Sequence, residues 1–268
     1  LRNELQKKLQ TASYFKKFIE DNYQGTTAKK VIYDTMVEEV VGNKPGFAYV
    51  KNNIIGRSGS GKTNLLRNLV EKGGKNNMYC RRFSNVYYIS PSVKSMKVKP
   101  KLREDNFFSS LFDLEKVIDL IQNGEDREGR NLIILDDISH ELKRDGQEIV
   151  KRLFQNNRHL GRPLLDEKGN QIESGACSVM IIGQRLNALP RVIRSQITNW
   201  AIFDPRHTKS ELQTIYDELI HTDKTNFNQM LKLTYDKQPY NFMFIDSLNS
   251  LVYNGFKKRF TIGMNNYI

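Results

Sequence analysis

The stretch NIIGRSGSGKTNLLRNLV, Asn53 to Val70, sets an apolar run, a glycine- and serine-rich turn and an amphipathic run end to end. Within it, GRSGSGKT matches the pattern G-x-x-x-x-G-K-[ST] at every position, with a strand before it and a helix after it, the context that pattern requires. Glycines at positions 56, 59 and 61 let backbone N–H groups turn inward around phosphate oxygens, and the start of the following helix adds its partial positive charge. Gly56, Arg57, Ser58, Gly59, Ser60, Gly61, Lys62, Thr63 and Asn64 are therefore expected to bind ATP. Lys62 would reach the β- and γ-phosphates, and the Thr63 hydroxyl would ligate Mg²⁺.

Further along, NLIILDDIS (131–139) carries four apolar residues that end in Asp136 and Asp137. Both carboxylates thus emerge at the carboxyl end of a buried strand, the edge at which open α/β sheets bind ligands. Asp136 is expected to hold Mg²⁺ through water, and Asp137 to polarise the attacking water as its base. Asp137 is one methylene shorter than the Glu that many motor ATPases carry there. The run SVMIIGQ (178–184) delivers Gln184 at another strand end, suited to a polar sensor between the phosphate loop and the acidic strand. About 70 residues separate Lys62 from Asp136, enough for an additional strand at 85–90.

The rest of the chain alternates in the same way. FAYVKNNII (47–55), NVYYISPS (85–92) and NWAIFDP (199–205) are β-like, and YNFMFID (240–246) is a further strand candidate. Helical patterns fall at 63–72, 113–123 and 145–160. Strands buried on both faces and alternating with helices predict an α/β fold with a mainly parallel sheet, a P-loop NTPase of the additional-strand type. Residues 1–44 read as an N-terminal helical arm and 45–268 as the ATPase core. DEKGNQIESG (166–175) is a polar loop or hairpin, and NGFKKRF is a basic, aromatic tail.

Composition narrows the partners. Forty-two Lys and Arg against 30 Asp and Glu leave a net charge of +12, a surplus that suits a polyanion such as nucleic acid or a surface merely rich in lysine. No apolar run approaches the 18 or so residues of a membrane span. Two cysteines and four scattered histidines, His140 and His159 among them, form no disulfide framework or zinc spacing, which fits a reducing compartment.

The order GRSGSGKT, YYISPS, LIILDDIS, FQNNRHLG, VMIIGQRLNALPRVIRSQITNWAIFDP and FMFID resembles the genome-packaging ATPases of poxviruses, other large nucleocytoplasmic DNA viruses and virophages, within the FtsK–HerA superfamily. The resemblance spans residues 45 to 246. It departs from the pattern at Asp137, where many members have Glu, and at the hydrophilic insertion 162–175. It implies a homo-oligomeric ring, a pentamer or hexamer, that drives double-stranded DNA into a preformed capsid and docks on capsid or portal-vertex proteins. The setting it implies is the host cytoplasm or a viral factory, or the virion itself. It also implies an arginine supplied by the neighbouring subunit, with Arg158 the first candidate and Arg194 the second. Channel contacts to the DNA backbone would come from 92–103, from 140–147, or from Arg185 and Arg191. A conjugation or segregation pump of the same superfamily, and a nucleotide-switched DNA-binding or scaffold protein, are the alternatives.

Overall fold

The computed structural model describes residues 51–71, 83–96, 98–124, 130–143, 146–161, 164–165, 168, 171–173, 177–236, 240–256 and 258–260. The predicted arm 1–44 and the start of the first predicted strand, 47–50, lie outside the described residues.

Eleven strands occur among them: β1 (Lys51–Ile55), β2 (Asn85–Ile89), β3 (Phe107–Phe108), β4 (Asn131–Asp136), β5 (Leu164–Leu165), β6 (Gln171–Glu173), β7 (Cys177–Gly183), β8 (Asn199–Phe203), β9 (Phe242–Asp246), β10 (Leu251–Asn254) and β11 (Lys258–Arg259). Nine form one sheet in the order β11-β10-β9-β8-β1-β7-β4-β2-β3. From β8 to β3 all pairings are parallel, whereas β9, β10 and β11 add antiparallel to the β8 edge. The helices are α1 (Lys62–Val70), α2 (Leu114–Asn123), α3 (Ser139–Leu142), α4 (Gly146–Asn156), α5 (Arg191–Arg194), α6 (Lys209–Leu219) and α7 (Lys224–Tyr235).

The central strands are apolar throughout because both faces are covered. Every residue of β7 is buried, and five of six in β4. Successive side chains on a strand alternate between faces. One face gathers Ile55, Tyr87, Ile89, Ile133, Leu135, Val179 and Ile181 into a cluster with the buried stripes of α2 and α4. Those stripes recur at helical spacing: Leu114, Val117 and Ile121 on α2, then Ile149, Val150, Leu153 and Phe154 on α4. Ile54, Tyr88, Leu132, Ile134, Met180 and Ile182 are buried on the other face, outside that cluster, as are Leu66, Leu69 and Val70 of α1.

Helix ends follow local chemistry. Gly124 stops α2, and the Asp223 carboxylate accepts from the Asn226 N–H at 2.9 Å to start α7. Gly61 precedes α1 with φ 105°, a conformation that penalises any residue with a Cβ.

Where their ends are described, the strand and helix expectations are met within four residues, with one change of place. The strand at 85–89, which intervenes in sequence, lies outside β4, and the strand inserted between β1 and β4 is β7. The polar insertion is a small antiparallel hairpin, β5–β6. It leaves the end of α4 docked, for the Asn157 side-chain amide donates to the Cys177 carbonyl at 2.9 Å, across the whole insertion. No helix among the described residues is long and apolar enough to cross a membrane.

Candidate phosphate-binding site

The site is built at the carboxyl ends of β1, β7 and β4. Gly56 follows β1 and donates its N–H to the Gly183 carbonyl at 3.2 Å, so the loop springs directly from the sheet. A Cβ at position 56 would lie 2.6 Å from both the Phe203 Cβ and the Ser60 Oγ, which leaves room for glycine alone. The Ser60 hydroxyl is enclosed and has no hydrogen-bond partner among the described residues. An orphaned donor inside a loop of inward N–H groups fits a phosphate oxygen. The first turn of α1 contains no acidic residue, so its positive end is left for an anion.

Lys62 donates to the carbonyls of Gly56 at 2.7 Å and Arg57 at 2.8 Å, which fixes its ammonium inside the curve of the loop. Burial lowers its pKa, and the charges of Asp136 and Asp137 oppose that shift. The three residues are thus electrostatically coupled, although 74 positions of sequence separate Lys62 from Asp136.

Asp136 ends β4, half-buried, and burial together with the neighbouring Asp137 charge raises its pKa, against the pull of Tyr88 and Lys62. The Tyr88 hydroxyl donates to Asp136 Oδ2. Asp137 is exposed and takes φ 56°, a left-handed conformation that Asp tolerates better than most residues. Its N–H is held by the Ile182 carbonyl at 3.1 Å. Backbone strain of this kind persists where surrounding contacts enforce it, and here it turns the second carboxylate off the strand.

Gln184 stands exposed immediately after β7, between the two halves of the site. It borders an open cleft of about 530 Å³ together with Arg57, Ser60, Arg185, Asp204 and Tyr240. Thr63 and Asn64 are exposed on the first turn of α1. The Thr63 hydroxyl and the Asp136 carboxylate are the oxygen donors expected at a cation. Among the described residues no group of three or more His, Cys, Asp or Glu could hold a metal unaided. That donor set fits Mg²⁺, which keeps its waters and takes its other ligands from phosphates.

The two arginines are elsewhere. Arg158 lies in the turn Asn157–His159 after α4, donates to His159 at 2.9 Å, and repels Lys51 at the start of β1. With Asn157 bonded to the first residue of β7, this marks the amino-end edge of the sheet. The length of β1, roughly 13 Å at 3.3 Å per residue, separates that edge from the loop of the same chain. Arg194 is spent on an ion pair with Glu218 and on the Leu189 carbonyl at 2.6 Å, so its guanidinium is not presented to phosphate.

Sequence reasoning missed Tyr88, whose contact needs the pairing of β2 with β4, and Asp204 and Tyr240, which only the folded chain gathers beside the loop; Arg185, expected at the DNA, borders the same cleft. In the basic segment 92–103, Lys94, Lys99, Lys101 and Arg103 are exposed, with Arg103 ion-paired to Asp105.

A phosphate loop on β1, an acidic pair on β4 and a polar residue on the strand between them define a P-loop NTPase. The inserted β7 places it in the additional-strand branch, in which RecA-like and FtsK–HerA-like folds share this sheet order. A family described as the NACHT domain matches residues 53–169. No curated protein matches the sequence. In fold the chain is similar to the genome packaging NTPase B204 from Sulfolobus turreted icosahedral virus 2. The structure of B204 with sulfate aligns at TM-score 0.51 and 14% identity, over 78% of this chain and 96% of that one. The structure of B204 with ATP-gammaS gives 0.51 and 15% over 76% and 95%. The cytoplasmic domain of the type VII secretion ATPase EccC of Thermomonospora curvata aligns at 0.45 and 13%, over 74% of this chain and 22% of that one.

Proposed function

We propose that this chain is an ATP-driven translocase of double-stranded DNA that packages a viral genome into a preformed capsid as a homo-oligomeric ring. The observation that carries the reading is Gln184 at the end of β7, set between the phosphate loop and the Asp136–Asp137 pair. A glutamine there orients the attacking water and, standing at the head of the segment that leads to α5, couples hydrolysis to movement of the chain beyond it. The fold similarity to a protein described as a genome packaging NTPase, and the net charge of +12, support the same reading.

The chain's residues divide the work as follows. Loop N–H groups and Lys62 hold the β- and γ-phosphates, and the Thr63 hydroxyl and Asp136 would hold Mg²⁺. That ion, when bound, neutralises charge on the phosphates. Asp137 accepts a proton from the attacking water, and Gln184 orients that water by hydrogen bonding. Arg158 cannot reach its own loop, so it serves the site of the neighbouring subunit, where an arginine stabilises the charge of the transition state. Exposed lysines of 92–103 bind the DNA backbone without reading bases, so transport is independent of sequence. Capsid or portal-vertex proteins are the docking partners, and the host cytoplasm or viral factory is the place of action.

The test is ATP turnover by the purified chain with and without double-stranded DNA at low salt. Stimulation by DNA that disappears in Lys62→Ala supports the motor. Turnover indifferent to DNA, or intact in Lys62→Ala, would falsify it.

A further inference from the structure

We propose that Tyr88 is a positioning residue for the metal site: its phenol fixes the Asp136 carboxylate so that one oxygen is held back and the other is offered to the cation. The inference rests on the reading of Asp136 as a Mg²⁺ ligand, and it concerns binding rather than transport.

The strand register produces the contact. In the parallel pair β2–β4, Tyr88 is opposite Ile134, two residues before Asp136. Positions two apart on a strand share a face, so Tyr88, Ile134 and Asp136 all project to the same side of the sheet. Two residues of strand cover about 6.6 Å, a distance that a side chain as long as tyrosine spans and a shorter one does not. The hydroxyl therefore arrives at Asp136 Oδ2 and donates to it.

The phenol is also immobilised. Tyr88 is 0% exposed. Its ring lies 5.7 Å from the ring of Phe107, which faces it across the parallel β2–β3 pair. A short edge strand thus braces the ring from the side away from β4. This matters because the terminal torsion of an aspartate is broad and roughly two-fold. A carboxylate free to turn offers either oxygen in many directions. One whose Oδ2 is tied to a rigid donor offers Oδ1 in a single direction. Partners that orient a metal ligand typically account for about 10–100-fold in metal affinity.

The arrangement serves the metal rather than the phosphates. Tyr88 contacts neither the loop nor α1 through any hydrogen bond found among the described residues, and its one polar partner is Asp136. Removing the hydroxyl should therefore leave nucleotide binding without metal intact while weakening the cation. A phenol that merely packs the core would affect neither or both.

The experiment uses Tyr88→Phe in the full chain, with Mn²⁺ as the probe. Mn²⁺ affinity is measured by electron paramagnetic resonance in saturating non-hydrolysable ATP analogue. Affinity for a fluorescent ATP analogue is measured separately in EDTA. The expected result is a Mn²⁺ Kd raised about 10–100-fold, with the EDTA affinity within twofold of the parent and turnover restored by excess Mg²⁺. An unchanged Mn²⁺ Kd overturns the proposal, as does an equal loss of nucleotide affinity in EDTA. Phe107→Leu keeps the hydroxyl but loosens its brace, and should raise the Mn²⁺ Kd severalfold; if Tyr88→Phe does not fold, no change in Phe107→Leu overturns the proposal. Parent protein that binds Mn²⁺ and nucleotide but ignores DNA sinks the motor reading while leaving the Tyr88 inference standing. Parent protein that binds neither sinks both.

Discussion

The guanidinium of Arg194 meets both carboxylate oxygens of Glu218, at 2.9 and 2.7 Å, and a third N–H reaches the Leu189 carbonyl. The pair is largely shielded, with side-chain exposures of 12% and 26%. It clamps α5 and the segment before it onto α6. Arg194→Ala is therefore expected to lower unfolding stability by about 1.5–3 kcal/mol, the range for hydrogen bonds to charged groups, as read by urea denaturation. Residual turnover per folded molecule should stay near the parent value. A fully stable variant with lost turnover would instead make Arg194 the finger.

The same pair carries a pH signature. Its hydrogen bond to Arg194 holds Glu218 below the ordinary glutamate pKa. A depressed acid stabilises the fold above its unfolded pKa, and that contribution is lost as pH falls through the folded value. The stability gap between parent and Glu218→Gln should thus be full at neutral pH and shrink below the ordinary glutamate range. A gap that widens in acid would contradict the assignment.

At Gly56 the prediction is steric. A methyl group 2.6 Å from Phe203 Cβ and Ser60 Oγ must push the loop away from the sheet, at a cost of about 1–3 kcal/mol. Gly56→Ala should also lose the stabilisation that ATP confers on the parent, about 2.7 kcal/mol at a hundred times Kd. Thermal melts with and without ATP report both effects.

Asp137 should separate stability from activity. Its φ of 56° strains a residue with a Cβ, so Asp137→Gly should melt no lower than the parent and gain up to about 1 kcal/mol. Turnover should fall about a hundredfold or more, the scale on which positioned proton transfer contributes. A melting temperature well below the parent would show that the carboxylate has a structural duty.

Arg158 should be dispensable to the isolated subunit. It is exposed, and Arg158→Ala should retain fold and ATP affinity while losing turnover in the assembly. Mixing Arg158→Ala chains with Lys62→Ala chains should restore part of the turnover, because some interfaces then pair an intact loop with an intact arginine. Absence of any recovery in mixed rings speaks against supply in trans.

The loop and the acidic strand could be read from the chain because each is local: glycines, a lysine and a hydroxyl within eight residues, or apolar residues running into carboxylates. The additional strand could also be anticipated, since Gln184 closes an apolar run. What escaped depends on pairing. Tyr88 looks like any core aromatic until β2 is set beside β4 in register. The β10–β11 hairpin escaped for another reason: its strands are only four and two residues long, with Gly255 at φ 59° between them, so length does not mark them. Arg194 resembled a free arginine because Glu218, its partner, is 24 positions away on another helix.

Two successive carbonyls at the end of β7 hold the two halves of the site: Ile182 takes the N–H of Asp137, and Gly183 takes that of Gly56. The phosphate loop and Asp137 are thereby fastened to one strand and cannot drift apart without breaking the sheet edge. Such a cradle is a fixed anvil rather than a moving jaw. Any displacement passed on from hydrolysis must then arise beyond the last clasped residue, in Gln184 and the segment running through Arg185 toward α5. The stroke would be transmitted by a side chain and a loop, while the chamber in which the bond breaks keeps its dimensions.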